Sequence, residues 1–259
     1  MSTSTAPRTH RTLLAPAPEM PVPPLWVESL WPIDWLTLRL SPFYYGLGVP
    51  RGDGEAVITV PGLMCPDAFM LEMHRWLRRV GYTPYFSGIV INADCPGKLA
   101  ERLDRTVRQA VRETGRPVRL VGHSLGGIIA RRVAVDQPEN VSQLIYLGTP
   151  LQAVQAHPQV LVTGALLVAA GMFLSGRECR CFTLDCRCGF TAAAAQELPA
   201  SVRHAAIFTK SDGVVDWHNA TEDWARLNHE VGGTHTGLPY NWRAYRALGH
   251  ILQDRRKAC

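Results

Sequence analysis

Short, mostly apolar runs alternate along this chain with longer stretches whose apolar residues recur every third or fourth position. Ala56-Val57-Ile58-Thr59-Val60 is such a run, as are 117–121, 143–148 and 205–209. Each has the length and continuity of a strand buried on both faces. Residues 83–86 and 229–231 are weaker strand candidates. Between them lie the helical stretches. Phe69, Met70, Met73, Trp76, Leu77 and Val80 line one face, and Leu99, Leu103, Val107, Ala110 and Val111 line another. A helix is predicted from the apolar residues after Gly127 to about Gln137, and a closing helix over 238–252. Strands alternating with helices predict parallel βαβ units, hence an α/β fold with a doubly wound, mostly parallel sheet.

Other segments do not follow this alternation. Residues 1–24 are rich in Ser, Thr, Pro and Ala and are expected to be a disordered tail. Residues 25–54 form an arm crowded with aromatics, among them Trp26, Trp31, Trp35, Phe43, Tyr44 and Tyr45. The spacing of Trp31, Trp35 and Leu38 predicts one helical face, packed over the core or, in the alternative reading, seated on a lipid surface. Residues 55–259 are read as one domain, with an insertion over 151–204 that is too long for a plain crossover and is expected to be a helical cap or lid. Its apolar run, 160–174, is short for a membrane span.

Composition narrows the function classes. A chain of 259 residues, 46% hydrophobic and 19% charged, can bury a full core. The net charge of +5 is mild, and its basic runs are short, which argues against nucleic-acid binding. No apolar signal segment is visible in the first 25 residues, so a cytoplasmic protein, at most peripheral to a membrane, is expected.

The chemistry concentrates at Gly122-His123-Ser124-Leu125-Gly126-Gly127, between a predicted strand and a predicted helix. That is the context of a G-x-S-x-G nucleophile elbow, in which a tight turn lifts a serine above the sheet. The Leu125 N–H, at the helix N-terminus, is then one oxyanion donor. A second is expected after an early strand, where Pro61-Gly62-Leu63 offers the Leu63 N–H. A serine needs a base, and the base an orienting anion. Asp212 lies just past the predicted strand 205–209, with Asp216 as its competitor. His235 sits in the glycine-rich segment Gly232-Gly233-Thr234-His235-Thr236-Gly237, ahead of the closing helix. It is preferred to His218, close behind Asp212, to His250, inside that helix, and to His229. His123 is read as a packing residue.

These motifs together resemble the bacterial lipase/esterase branch of the α/β-hydrolase family, over about residues 55–253. The resemblance implies Ser124 as nucleophile, Asp212 as acid, His235 as base and backbone oxyanion donors at Leu63 and Leu125, with no cofactor. It implies hydrolysis of carboxylic esters through an acyl-enzyme. One departure is Pro61-Gly62 where many lipases carry His-Gly. The apolar insertion and the aromatic arm favour an acyl chain in the substrate. Acyl transfer by the same triad, and a non-catalytic hydrolase-fold protein binding lipid or a partner through residues 25–49, are the alternatives. Cys179, Cys181, Cys186 and Cys188, spaced C-x-C-x4-C-x-C, are read as structural thiols or disulfides before a zinc site, and Cys65 as a packing residue.

Overall fold

The computed structural model describes residues 22–151, 156–160, 162–164, 166, 196–221 and 228–253. Its centre is a six-stranded sheet in the order β2-β1-β3-β4-β5-β6, and every pairing in it is parallel. The strands are β1 (Ala56–Val60), β2 (Thr83–Phe86), β3 (Val118–His123), β4 (Val141–Leu147), β5 (Arg203–Phe208) and β6 (Asn228–Glu230). The helices whose full extent lies among the described residues are α1 (Trp31–Leu40), α2 (Leu71–Arg79), α3 (Pro96–Thr114), α4 (Leu125–Asp136) and α5 (Trp242–Gln253). No described helix is long and apolar enough to cross a membrane.

The period-two geometry of a strand divides the core into two layers. Ile58 and Val60, Leu120, Leu144 and Tyr146, and Ala206 face one layer, with Leu99, Leu103 and Val107 of α3 and Ile129 and Val133 of α4. The residues between them, Val57, Val121, Ile145 and Ile207, face the other. There Met73, Trp76 and Leu77 of α2 meet Tyr245, Leu248 and Ile251 of α5 and Leu38 of α1. Near-continuous apolar strands are what a sheet covered on both faces requires.

Two sequence expectations need correction. The predicted closing helix breaks into a short 3-10 turn, Leu238–Tyr240, and α5. Asn241 makes the break, its Oδ1 accepting from the N–H groups of Arg243 and Ala244 at 2.9 and 3.3 Å. In the arm, Leu38 is buried, but Trp31 and Trp35 stay more than a third exposed. The buried face of the arm instead carries two carboxylates, Glu28 and Asp34.

The arm is pinned to α2. Arg39 pairs with Glu72 at 2.6 Å, the Tyr44 hydroxyl donates to the other oxygen of Glu72, and Trp76 Nε1 donates to the Phe43 carbonyl at 2.9 Å. Chain order reverses between β1 and β3, and in open α/β sheets ligands bind outside the strand ends at such a point. The loops leaving β1 and β3 there are Pro61–Met64 and the turn at Ser124.

Within the second layer Trp76 joins α2 to α5, fully buried with its ring centroid 4.8 Å from that of Tyr245. Trp76→Ala is expected to lower the unfolding free energy by about 3–5 kcal/mol. Urea titration followed by circular dichroism measures this, as a lower midpoint at unchanged slope.

Candidate active site

Ser124 stands between β3 and α4 with φ +51° and ψ −127°, a backbone conformation that costs a non-glycine residue energy. The turn is held from below. The Ser124 N–H donates to the Leu147 carbonyl at 2.9 Å, and the buried Thr149 hydroxyl donates to the Ser124 carbonyl at 3.1 Å. The glycines beside it answer to crowding. A Cβ on Gly122 would lie 2.4 Å from the Gly127 Cα, and one on Gly126 would lie 2.4 Å from the Pro61 carbonyl oxygen. So β3, the start of α4 and the end of β1 converge more closely than side chains allow.

Asp212 and His235 come together from loops after β5 and β6. His235 Nδ1 donates to Asp212 Oδ2 at 2.7 Å, and both side chains are almost wholly buried. The other carboxylate oxygen of Asp212 accepts from the N–H groups of Val214 and Val215 at 2.9 and 2.7 Å. This bond puts the imidazole proton on Nδ1 and leaves Nε2 as the proton acceptor. Burial lowers the His235 pKa, but the charge and hydrogen bond of Asp212, then the charge of Glu28, outweigh it, so it lies above the ordinary histidine value. Asp216 is engaged elsewhere, accepting from His218 Nδ1 at 2.7 Å on an exposed turn.

His123 has a more specific place than packing alone. Its Nε2–H donates to the His235 carbonyl at 3.0 Å, and the two rings lie 4.8 Å apart between centroids. The residue preceding Ser124 thus holds the backbone of His235. Burial, then the neighbouring His235, drives the His123 pKa down to about 3, so the ring is neutral.

The loop after β1 is built around Asn92. Its Nδ2 donates to the Pro61 carbonyl at 2.7 Å, its backbone carbonyl accepts from Met64 N–H at 2.8 Å, and its N–H donates to the Cys65 carbonyl at 3.0 Å. Met64 takes a positive φ of 61°. The N–H groups of Leu63 and Leu125 donate to no described residue. Beside them, a Cβ on Gly164 would lie 2.6 Å from a methyl of Leu63, so the start of the insertion covers this loop. Burial pushes the Cys65 thiol up to about 11, which keeps it protonated.

Sequence reasoning missed Asn92, Glu28 and Asp34. Glu28 and Asp34 accept from backbone N–H groups of the loops carrying Asp212 and His235. Asp34 shares the helical spacing of Leu38, which marks the buried side of α1, but its partners lie some 200 positions away. Cys179, Cys181, Cys186 and Cys188, and most of the apolar run 160–174, lie outside the described residues. Among the described residues no group of three or more His, Cys, Asp or Glu could hold a metal ion.

The depressed pKa of His123 makes an acid-sensitivity prediction. Between about 6.5, its ordinary value, and about 3, the unfolded chain binds a proton at His123 that the folded chain refuses. Stability from this residue is therefore complete above that window and falls with pH inside it, by about 1.4 kcal/mol per unit. Urea unfolding at a series of pH values measures the slope, which is expected to flatten in His123→Gln.

A sequence profile described as the PGAP1-like alpha/beta domain matches residues 100–164, from α3 through Ser124 to the start of the insertion. A triacylglycerol lipase of Burkholderia plantarii is 29% identical over 137 residues, covering 48% of this chain and 38% of that protein. Among solved structures, the Bacillus licheniformis lipase BlEst2 in its propeptide form superposes with a TM-score of 0.57 at 17% identity, over 82% of this chain and 53% of that one. A lipase-esterase related protein from Clostridium acetobutylicum does so with 0.52 at 12% identity, over 80% and 97%. The chain thus spans well under two thirds of the first two proteins. By fold the chain is of the α/β-hydrolase type, and part of its sequence is similar to a PGAP1-like alpha/beta domain and to a triacylglycerol lipase.

Proposed function

We propose that this protein hydrolyses carboxylic esters with Ser124 as nucleophile, His235 as base and Asp212 as the orienting acid. The observation that carries the reading is the buried 2.7 Å pair of Asp212 and His235, held against the residue that precedes a strained serine at the end of β3. Ser124 Oγ attacks the ester carbonyl and its proton passes to His235 Nε2. Asp212 stabilises the imidazolium so formed. The negative charge on the former carbonyl oxygen is met by the N–H groups of Leu63 and Leu125, which no described residue occupies. His235 returns the proton to the departing alcohol. Water, deprotonated by His235, then attacks the acyl-enzyme and releases the acid and free Ser124.

The likeness to a triacylglycerol lipase and the Leu63 side chain beside Gly164 support an acyl chain as the group bound next to the serine. The outer face of the arm supports contact with the lipid surface itself. Trp26, Ile33, Leu36 and Leu40 are each more than half exposed.

Hydrolysis of p-nitrophenyl esters from acetate to palmitate tests the reaction. Ser124→Ala is expected to lower kcat by ~10⁶-fold, and a fluorophosphonate to label the wild type at Ser124 but not this variant. Because the base must be neutral, kcat/KM is expected to fall as pH drops through the raised His235 pKa, with its acid limb above the ordinary histidine value of 6.5. A wild type that neither labels nor turns over any ester overturns the reading. Products joined to an added alcohol rather than to water reassign it to acyl transfer. For the arm, cosedimentation with phosphatidylcholine vesicles is expected to weaken about tenfold in a Trp26→Ala/Leu40→Ala double variant.

A further inference from the structure

We propose that Glu28, on the N-terminal arm, is a positioning residue of the active site whose carboxylate fixes the acid-bearing and base-bearing loops against each other and supports the imidazolium of His235. This rests on the assignment of Asp212 and His235 above, and adds a group from the far end of the chain.

The geometry is specific. Glu28 Oε1 accepts from the N–H of Gly213 at 2.9 Å and from the N–H of His235 itself at 3.1 Å. Its Oε2 accepts from the N–H of Thr236 at 2.7 Å. One carboxylate therefore touches the residue after the acid and the backbone of the base. A carboxylate only accepts, so it satisfies all three buried donors, whereas an amide would set its own N–H groups against one of them. Asp34, six positions on, accepts from Thr234 N–H and from the Thr234 hydroxyl at 3.1 Å each, and from Asn241 Nδ2 at 2.9 Å. The arm is thus fastened along the base loop, and Glu28 is where it crosses to the acid loop.

The electrostatics agree with the geometry. Among the described residues, the titratable groups facing His235 are Asp212, Glu28, the neutral His123 and, through the neighbouring Thr234, Asp34. Proton transfer creates a positive imidazolium in a buried place. There the charge of Glu28 adds to that of Asp212 in holding the proton.

Glu28→Gln keeps the shape and removes the charge and one acceptor. Glu28→Asp keeps the charge and shortens the reach. On the ester that wild type cleaves best, Glu28→Gln is expected to lower kcat ~10- to 100-fold with KM changed less than ~3-fold. The acid limb of its rate profile, and the His235 imidazole titration followed by NMR, should both move to lower pH. Glu28→Asp should lose kcat yet keep the titration near wild type. A substitution at the exposed neighbour, Ser29→Ala, should change neither.

A merely structural Glu28 would lower the melting temperature while leaving kcat per folded molecule and the His235 titration of Glu28→Gln at wild-type values, and that result overturns the proposal. The NMR titration needs no substrate. A wild type inactive on all esters would therefore sink the ester-hydrolase reading, while the titration still decides the part played by Glu28.

Discussion

Every loop of the candidate site leaves a carboxyl edge of the sheet and carries backbone donors and acceptors into a buried region, where each must find a partner. An unpaired buried N–H or carbonyl costs about as much as a lost hydrogen bond. The structure meets this demand with side chains from distant elements. Asn92 holds the loop after β1, His123 holds the carbonyl of His235, Asp212 takes two N–H groups of its own loop, and Glu28 and Asp34 take those of the loops after β5 and β6. What keeps the site in place is thus a set of side chain to backbone bonds. The apolar layers beneath position the strands from which the loops spring.

The same bonds suit the proposed chemistry. Nδ1 of His235 is committed to Asp212, which leaves Nε2 to accept a proton, as that reaction requires. His123, one residue before Ser124, is kept neutral by burial, so it donates to the backbone of His235 and does not compete with it for protons. The N–H groups of Leu63 and Leu125 donate to no described residue. At Ser124 the energy of the strained backbone is sustained by the convergence of β1, β3 and α4, which only glycine at 122 and 126 permits.

The arm departs most from what its composition suggests. Its tryptophans look like the part meant for burial, yet the buried face carries Glu28, Asp34 and Leu38, and Trp26, Ile33, Leu36 and Leu40 face outward. A helical spacing identifies which residues share a face. It does not say whether that face meets apolar side chains or a row of backbone N–H groups, and here it meets both.

The strands and helices were legible along the chain because each depends on neighbours in sequence. β1 and β2 have the bounds their residues predict, and the other elements begin or end within a few residues of expectation, apart from the closing helix that Asn241 interrupts. Ser124, Asp212 and His235 could be singled out because a turn, a strand end and a glycine-rich loop are local features with local chemistry. Only the tertiary structure could decide that Asp212 and not Asp216 meets His235, that His123 grips the loop of His235, and that Glu28 joins two loops 185 and 207 residues away. Periodicity and turn chemistry act over a few residues, whereas pairing a buried donor with its acceptor depends on where the whole chain comes to rest.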